Sequence, residues 1–349
     1  MRSLSVLAFF VLTGFGSSSI AATSTCPGLT PEGKRQQLTP PEFQPNLAAY
    51  AKDHAPRNLA AAAQAIVSKF ETGSDKGYDK VSPTDKLSVG ISQWNHGSGS
   101  LYSMFFPLIS QDMLNKAPSA IRGDLVALKT DKSRREEIIN SWLVQREGDL
   151  LEKGVRRSVR NALSEWLASP DIVAVQQKLS AENLDLAWRL AKAWQAEKNS
   201  KKPVSLKLFT NFYDVVIYNG GFADVWVQHV AAFRKSYPDT ASILAKLEEW
   251  TTNCESFSSP TAKHKNLYSL KDLRRSVQMW KEAAKSHPEL FDDETLDLLA
   301  LGLLRAQRSV GSNSPKGFPG VFQADVMLRR GTESVGIGYR GAKIGPLYP

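Results

Sequence analysis

From Leu47 onward, apolar residues recur at helical spacing in one segment after another, and that succession constrains the fold more than any other feature of the chain. The segments run Asn58 to Phe70, Leu101 to Leu114, Ala120 to Leu128, Arg134 to Leu167, Asp171 to Leu179, Glu182 to Glu197, Val204 to Tyr218, Ala223 to Tyr237, Thr240 to Thr251, Ser269 to Ser286 and Asp293 to Gln307. Pro170, Pro203, Pro238 and Pro288 mark starts and separators, where a fixed φ and a missing N–H are tolerated. Ser169 and Asp239, beside two of these prolines, are capping candidates, and Gly154 is a candidate break in the longest segment. One stretch changes period. In Leu87 to Gln93, Leu87, Val89 and Ile91 alternate with Ser88, Gly90 and Ser92, as in a strand of a small hairpin. The expected fold is mostly α with a small β-hairpin.

Met1 to Ala22 combines Arg2, an apolar run from Leu4 to Phe15 and small residues up to Ala22, the layout of a secretory signal peptide, so a periplasmic or secreted location is expected. The run falls short of the roughly eighteen apolar residues of a membrane span, and no later stretch reaches that length. Residues 23–46, rich in Pro, Gly, Thr and Gln, read as an extended N-terminal arm, and residues 47–309 as one helical domain. Residues 310–349 read as an irregular C-terminal segment, Gly/Pro/Ser-rich at first and then carrying the alternating Val335-Gly336-Ile337-Gly338-Tyr339 of a laid-down, partly extended stretch.

The formal charge of +9 includes clusters such as Lys153 to Arg160 and Lys198 to Lys202. A cationic exported protein is drawn to anionic polymers, and without a nucleic-acid motif those of the cell envelope are the better match. Cys26 and Cys254 either pair or remain thiols. Two cysteines and five histidines without ligand spacing make no metal site, so neither metal nor cofactor is expected.

Phe70-Glu71-Thr72-Gly73 closes an alanine-rich helix, which puts Glu71 on its last turn. Cleaving a glycosidic bond requires a carboxylic acid that holds its proton and a second carboxylate about 5 to 9.5 Å away. Glu71, following apolar Ile66, Val67 and Phe70, fits the first role; Asp85, three residues before Ser88, and Asp79, in the Gly77-Tyr78 turn, compete for the second. The hydroxyl of Ser88 is placed to hold a water. Trp142, Trp166, Trp188, Trp194, Trp226, Trp250 and Trp280 sit on helical stretches and read as packing residues, whereas Trp94 follows the strand and is equally suited to sugar stacking or to supporting the hairpin.

Phe-Glu-Thr-Gly followed by Asp and then by Leu-Ser-x-Gly-x-x-Gln-Trp-Asn-x-Gly-x-Gly-x-Leu resembles the lysozyme-like superfamily, most closely secreted bacterial peptidoglycan hydrolases and the related chitosanases. The resemblance implies a lysozyme-like helical domain with a hairpin beside its cleft, with Glu71 as general acid, Asp85 as its partner and Ser88 orienting water. It further implies that Gln93, Trp94 and Asn95 line the cleft. Phe212 to Gly221 resembles a helix-end Phe-Asp-x-x-x-Gln-Asn-Gly pattern, with Tyr218 where Gln is usual and Asn219 beside it as substrate contacts. Leu328-Arg329-Arg330 with Gly336, Gly338 and Gly341 resembles the relatives' C-terminal segment, which implies that the tail returns to the cleft and that Arg330 positions the polymer. The chain has Asp85-Lys86 where relatives carry Asp-Gly-x-Gly. The implied partner is peptidoglycan or a related β-1,4 polysaccharide, and the implied activity a muramidase or lytic transglycosylase; a chitosanase and a catalytically weak wall-binding protein are the alternatives.

Overall fold

The computed structural model describes residues 45, 47–73, 76–84, 86–219, 221–222, 225–257, 268–307, 319–340, 342–344 and 347–348. The helical periodicity is realised, among these residues, in α1 (Arg57–Thr72), α2 (Phe106–Leu108), α3 (Gln111–Asn115), α4 (Ser119–Thr130), α5 (Arg135–Leu143), α6 (Arg157–Leu167), α7 (Pro170–Glu197), α8 (Leu206–Asn219), α9 (Val227–Ser236), α10 (Thr240–Phe257), α11 (Tyr268–Ser286), α12 (Asp293–Gln307) and α13 (Pro319–Val335). Strands β1 (Val81–Ser82), β2 (Ser88–Val89) and β3 (Trp94–Asn95) form one small antiparallel sheet in that order. Two further hairpins pair β4 (Leu151–Glu152) with β5 (Val155–Arg156) and β6 (Gly338–Arg340) with β7 (Ala342–Ile344). The molecule is therefore mostly helical with little sheet.

Several boundaries differ from the sequence reading. The segment Arg134 to Leu167 divides into α5 and α6, because Lys153 and Gly154 take φ of 49° and 80° and close a two-residue turn across which Glu152 and Val155 pair. Asp171 to Leu179 and Glu182 to Glu197 join as α7, 28 residues long, since nothing at Ser180-Ala181 stops a helix. Pro170 occupies its first turn, while Ser169 turns its hydroxyl back to the Trp166 carbonyl at 2.7 Å instead of capping; Asp239 does cap α10, accepting from the Ser242 N–H at 2.8 Å. The expected strand from Leu87 to Gln93 shortens to Ser88–Val89, because the chain turns from Gly90 to Gln93 into β3. The tail, expected to be irregular, holds the 17-residue helix α13. From Gln323 to Ser334 every residue is buried, polar and apolar alike, so no amphipathic stripe marks the helix in the sequence.

The apolar core gathers in three clusters, and α7 joins two of them. Its first half (Ile172, Val175, Leu179) packs with the small sheet and with α4 to α6, and its second half (Leu184, Ala187, Ala191, Trp194) with α1, α8 and α9. The third cluster is formed by α10 to α13. In the sheet, Val81, Val89 and Trp94 stand opposite one another across the three strands, each at most 3 % exposed, so that one row of side chains faces the core. Of the tryptophans read as packing residues, Trp142, Trp166, Trp194, Trp226, Trp250 and Trp280 are buried and Trp188 is half-buried. No helix among the described residues is long and apolar enough to cross a membrane. The alternatives for Cys26 and Cys254 rest on side chains outside the described residues.

Gln176 on α7 holds the sheet in place. Fully buried, it accepts from the Ile91 N–H at 3.0 Å and donates to the carbonyls of Tyr78 at 3.2 Å and Leu167 at 3.0 Å. Gln176→Leu would strand all three backbone groups, each costing about 1 to 3 kcal/mol when buried without a partner. A drop in thermal unfolding temperature, with earlier proteolysis between residues 76 and 95, is the expected outcome.

Candidate active site

Glu71 lies on the last turn of α1, which ends at Gly73 in the left-handed conformation (φ 76°) with its N–H returned to the Lys69 carbonyl at 3.1 Å. The side chain is 11 % exposed, and its Oε1 accepts from Arg329 Nη2 at 2.5 Å. Arg329 thus tethers the carboxylate through Oε1.

Arg329 comes from α13 and is itself fixed on two sides. Asp214 of α8 accepts from its Nε at 3.2 Å and from its Nη2, and the guanidinium lies 3.9 Å above the ring of Tyr218 and 5.4 Å from that of Phe70. Asp214 also pairs with Arg330, so one fully buried carboxylate serves two buried guanidiniums. Arg330 reaches Glu333 at 3.4 Å as well. Burial pulls Arg330 down to about 10, which leaves it cationic at neutral pH.

Burial pushes the Glu333 carboxyl up to about 7, against the pull of Arg330 and Arg329 and with Glu71 adding to the rise. Among the described residues, its Oε1 has no hydrogen-bond partner. The folded state thus holds a proton on Glu333 between its ordinary value of 4.5 and about 7, where the unfolded chain has released it. Stability contributed by this group is full below the lower value and falls as pH rises through the upper one. Melting wild type and Glu333→Gln at pH 5 and at pH 8 is expected to show the variant gaining relative to wild type at the higher pH.

On the sheet side, Gly90 (φ 74°) passes so close to α7 that a Cβ would stand 2.4 Å from Gln176 Oε1 and 2.9 Å from the Trp94 ring. This contact fixes the turn that leads to Gln93, Trp94 and Asn95. Gln93 donates from Nε2 to the Gly90 carbonyl at 2.8 Å, and Asn95 Oδ1 accepts from the Ser98 N–H at 2.6 Å; both are partly exposed. Lys80 donates its ammonium to the Thr72 carbonyl, closing the loop between helix end and sheet.

Several expected roles change. Ser88 is 2 % exposed and donates its hydroxyl to the Thr84 carbonyl at 2.8 Å, so it braces the loop and is not placed to hold a solvent water. Trp94, 3 % exposed, stacks on Phe105 with centroids 5.3 Å apart and offers no face to a sugar. Arg330 is buried among carboxylates and does not reach a polymer. Tyr218 uses its hydroxyl on Asp325 at 2.6 Å and its ring on Arg329, which makes it a wall of the ion cluster. Asp79 is exposed at the end of its short turn, its carbonyl accepting from Ser164 Oγ at 2.9 Å. Asp85 and the side chain of Asn219 lie outside the described residues.

Sequence reading did not assign roles to Arg329, Asp214, Gln176 or Glu333. Asp214 and Arg329 stood inside quoted motifs; Gln176 and Glu333 carried no signal at all. No group of three or more potential metal ligands occurs among the described residues. Compared with protein-family models, curated proteins and solved structures, the chain finds no match.

Proposed function

We propose that this protein is an exported glycosidase of lysozyme-like architecture that cleaves the β-1,4 glycan strands of peptidoglycan, with Glu71 as general acid. The observation that carries the reading is Glu71 itself: a carboxylate at a helix end, 11 % exposed, with one oxygen anchored by Arg329. Arg329, itself held by Asp214, orients Glu71 through that anchored oxygen.

The second carboxylate belongs to the stretch between Gly77 and Ser88, which carries Asp79 and Asp85. That carboxylate would stabilise positive charge at the sugar or activate a water, while Gln93 and Asn95, partly exposed on the turn after β2, would contact the strand. A formal charge of +9 disfavours a polycationic substrate such as chitosan and suits an anionic one. Purified murein treated with wild type and with Glu71→Gln tests the reading by turbidity. Clearing by the wild type alone is expected; equal clearing by both would remove Glu71 from the acid role, and binding without clearing by either would make the protein a wall-binding module.

A further inference from the structure

The basic run from Lys153 to Arg160 folds onto the strand that leads away from the Glu71 helix end. Gly154 at the tip of the β4–β5 hairpin lies against Pro83, where a Cβ would stand 2.9 Å from Cγ. Arg160 of α6 donates from Nη1 to the Val81 carbonyl at 3.3 Å. Both contacts carry cations toward Lys80, the residue before Val81, whose ammonium rests on the Thr72 carbonyl one residue from Glu71. Lys153 is exposed at the tip with φ 49°, a conformation that costs a residue with a side chain about 1 kcal/mol, and the hairpin holds it there.

Among the described residues around this strand, the cations Lys80, Lys153, Arg157 and Arg160 outnumber the carboxylates Asp79 and Glu152. Glu152 divides its charge between Arg157 Nε at 3.5 Å and Arg160 Nε at 3.6 Å. Burial, then Lys153 and Arg160, pull Lys80 below the usual lysine range, with Asp79 opposing. Capping the last carbonyls of α1 accounts for Lys80 alone. It gives no reason for two more cations to face it, and like charges gathered beside a candidate cleft are relieved by an anionic ligand.

We propose that Lys80, Lys153 and Arg160 form an anion subsite beside Glu71, and that it takes a carboxylate borne by the glycan, the lactyl or stem-peptide carboxylate of a murein strand. The inference rests on the glycan reading and names the chemical class within it. A murein strand bears such a carboxylate at alternate sugars, whereas chitin bears none and chitosan bears the opposite charge.

Calorimetric titration of the full chain, in a Glu71→Gln background so that ligands survive, tests the subsite with three probes. They are a soluble muropeptide with free carboxylates, the same muropeptide with its carboxyls amidated, and a neutral N-acetylglucosamine oligomer. The free-carboxylate ligand is expected to bind about three- to tenfold more tightly than the amidated one, an advantage that added salt erodes. Lys153→Glu, at an exposed position, and Lys80→Gln, which keeps a neutral donor for the Thr72 carbonyl, should each remove that advantage and leave the neutral oligomer unchanged. Equal affinity for free and amidated ligands, or an advantage that survives both substitutions, would overturn the subsite. Neutral-oligomer binding without any carboxylate preference sinks the subsite alone, and carboxylate-dependent binding by a wild type that never cleaves murein sinks only the catalytic reading. Absence of binding to all three probes overturns both.

Discussion

Asp214→Asn is expected to lower stability by about 3 to 5 kcal/mol, the usual effect of removing one partner from a buried ion cluster, and to lower the unfolding temperature by on the order of 10 °C. The substitution keeps the shape of the side chain and removes only its charge. Two guanidiniums, each at most 1 % exposed, would then lose the carboxylate they share, leaving Arg329 on Glu71 and Arg330 with Glu333 at 3.4 Å among its contacts. Asparagine would also turn N–H donors toward groups that are donors themselves. The loss should be far larger than for Asp214→Asn combined with Arg330→Met, which deletes a cation together with its partner. A double-mutant cycle by chemical denaturation measures the coupling directly. A loss under about 1 kcal/mol for the single variant would mean that the cluster is wetter than its burial implies.

Glu71→Gln should leave the fold standing and remove glycan cleavage by at least about 10²- to 10⁴-fold, the usual contribution of a positioned general acid. Stability should change little, because Arg329 keeps both bonds to Asp214 and the glutamine carbonyl can still accept from Nη2. The amide has no proton to give at neutral pH, so protonation of the leaving oxygen fails while the strand still binds. Initial rates at saturating murein, with circular dichroism of both proteins, separate chemistry from binding and folding. A variant that retains the wild-type rate places the acid elsewhere.

The sequence disclosed local features well and long-range ones hardly at all. Helix ends at Gly73 and Asp239, the alternation around Val89 and the packing tryptophans rest on spacing and capping, which neighbouring residues carry. The place of Glu71 on the last turn of α1 could be read because Gly73 stops the helix there. The partner that holds it could not: Arg329 is 258 positions away and Asp214 a further buried link on another helix, and nothing near either residue encodes that meeting. α13 escaped for a related reason, since a helix buried all round has no polar face to set its period. The burial of Ser88, Trp94 and Arg330 was equally hidden, being a property of the assembled fold rather than of the motif.

Mass spectrometry of soluble products from purified murein incubated with wild type and with Glu71→Gln tests the assignment of Glu71 most directly. Disaccharide-peptide fragments from the wild type, ending either in reducing sugars or in anhydro sugars according to whether water completes the reaction, and none from an equally folded Glu71→Gln protein, are the expected result. Fragments released alike by both proteins, or by neither, would contradict it.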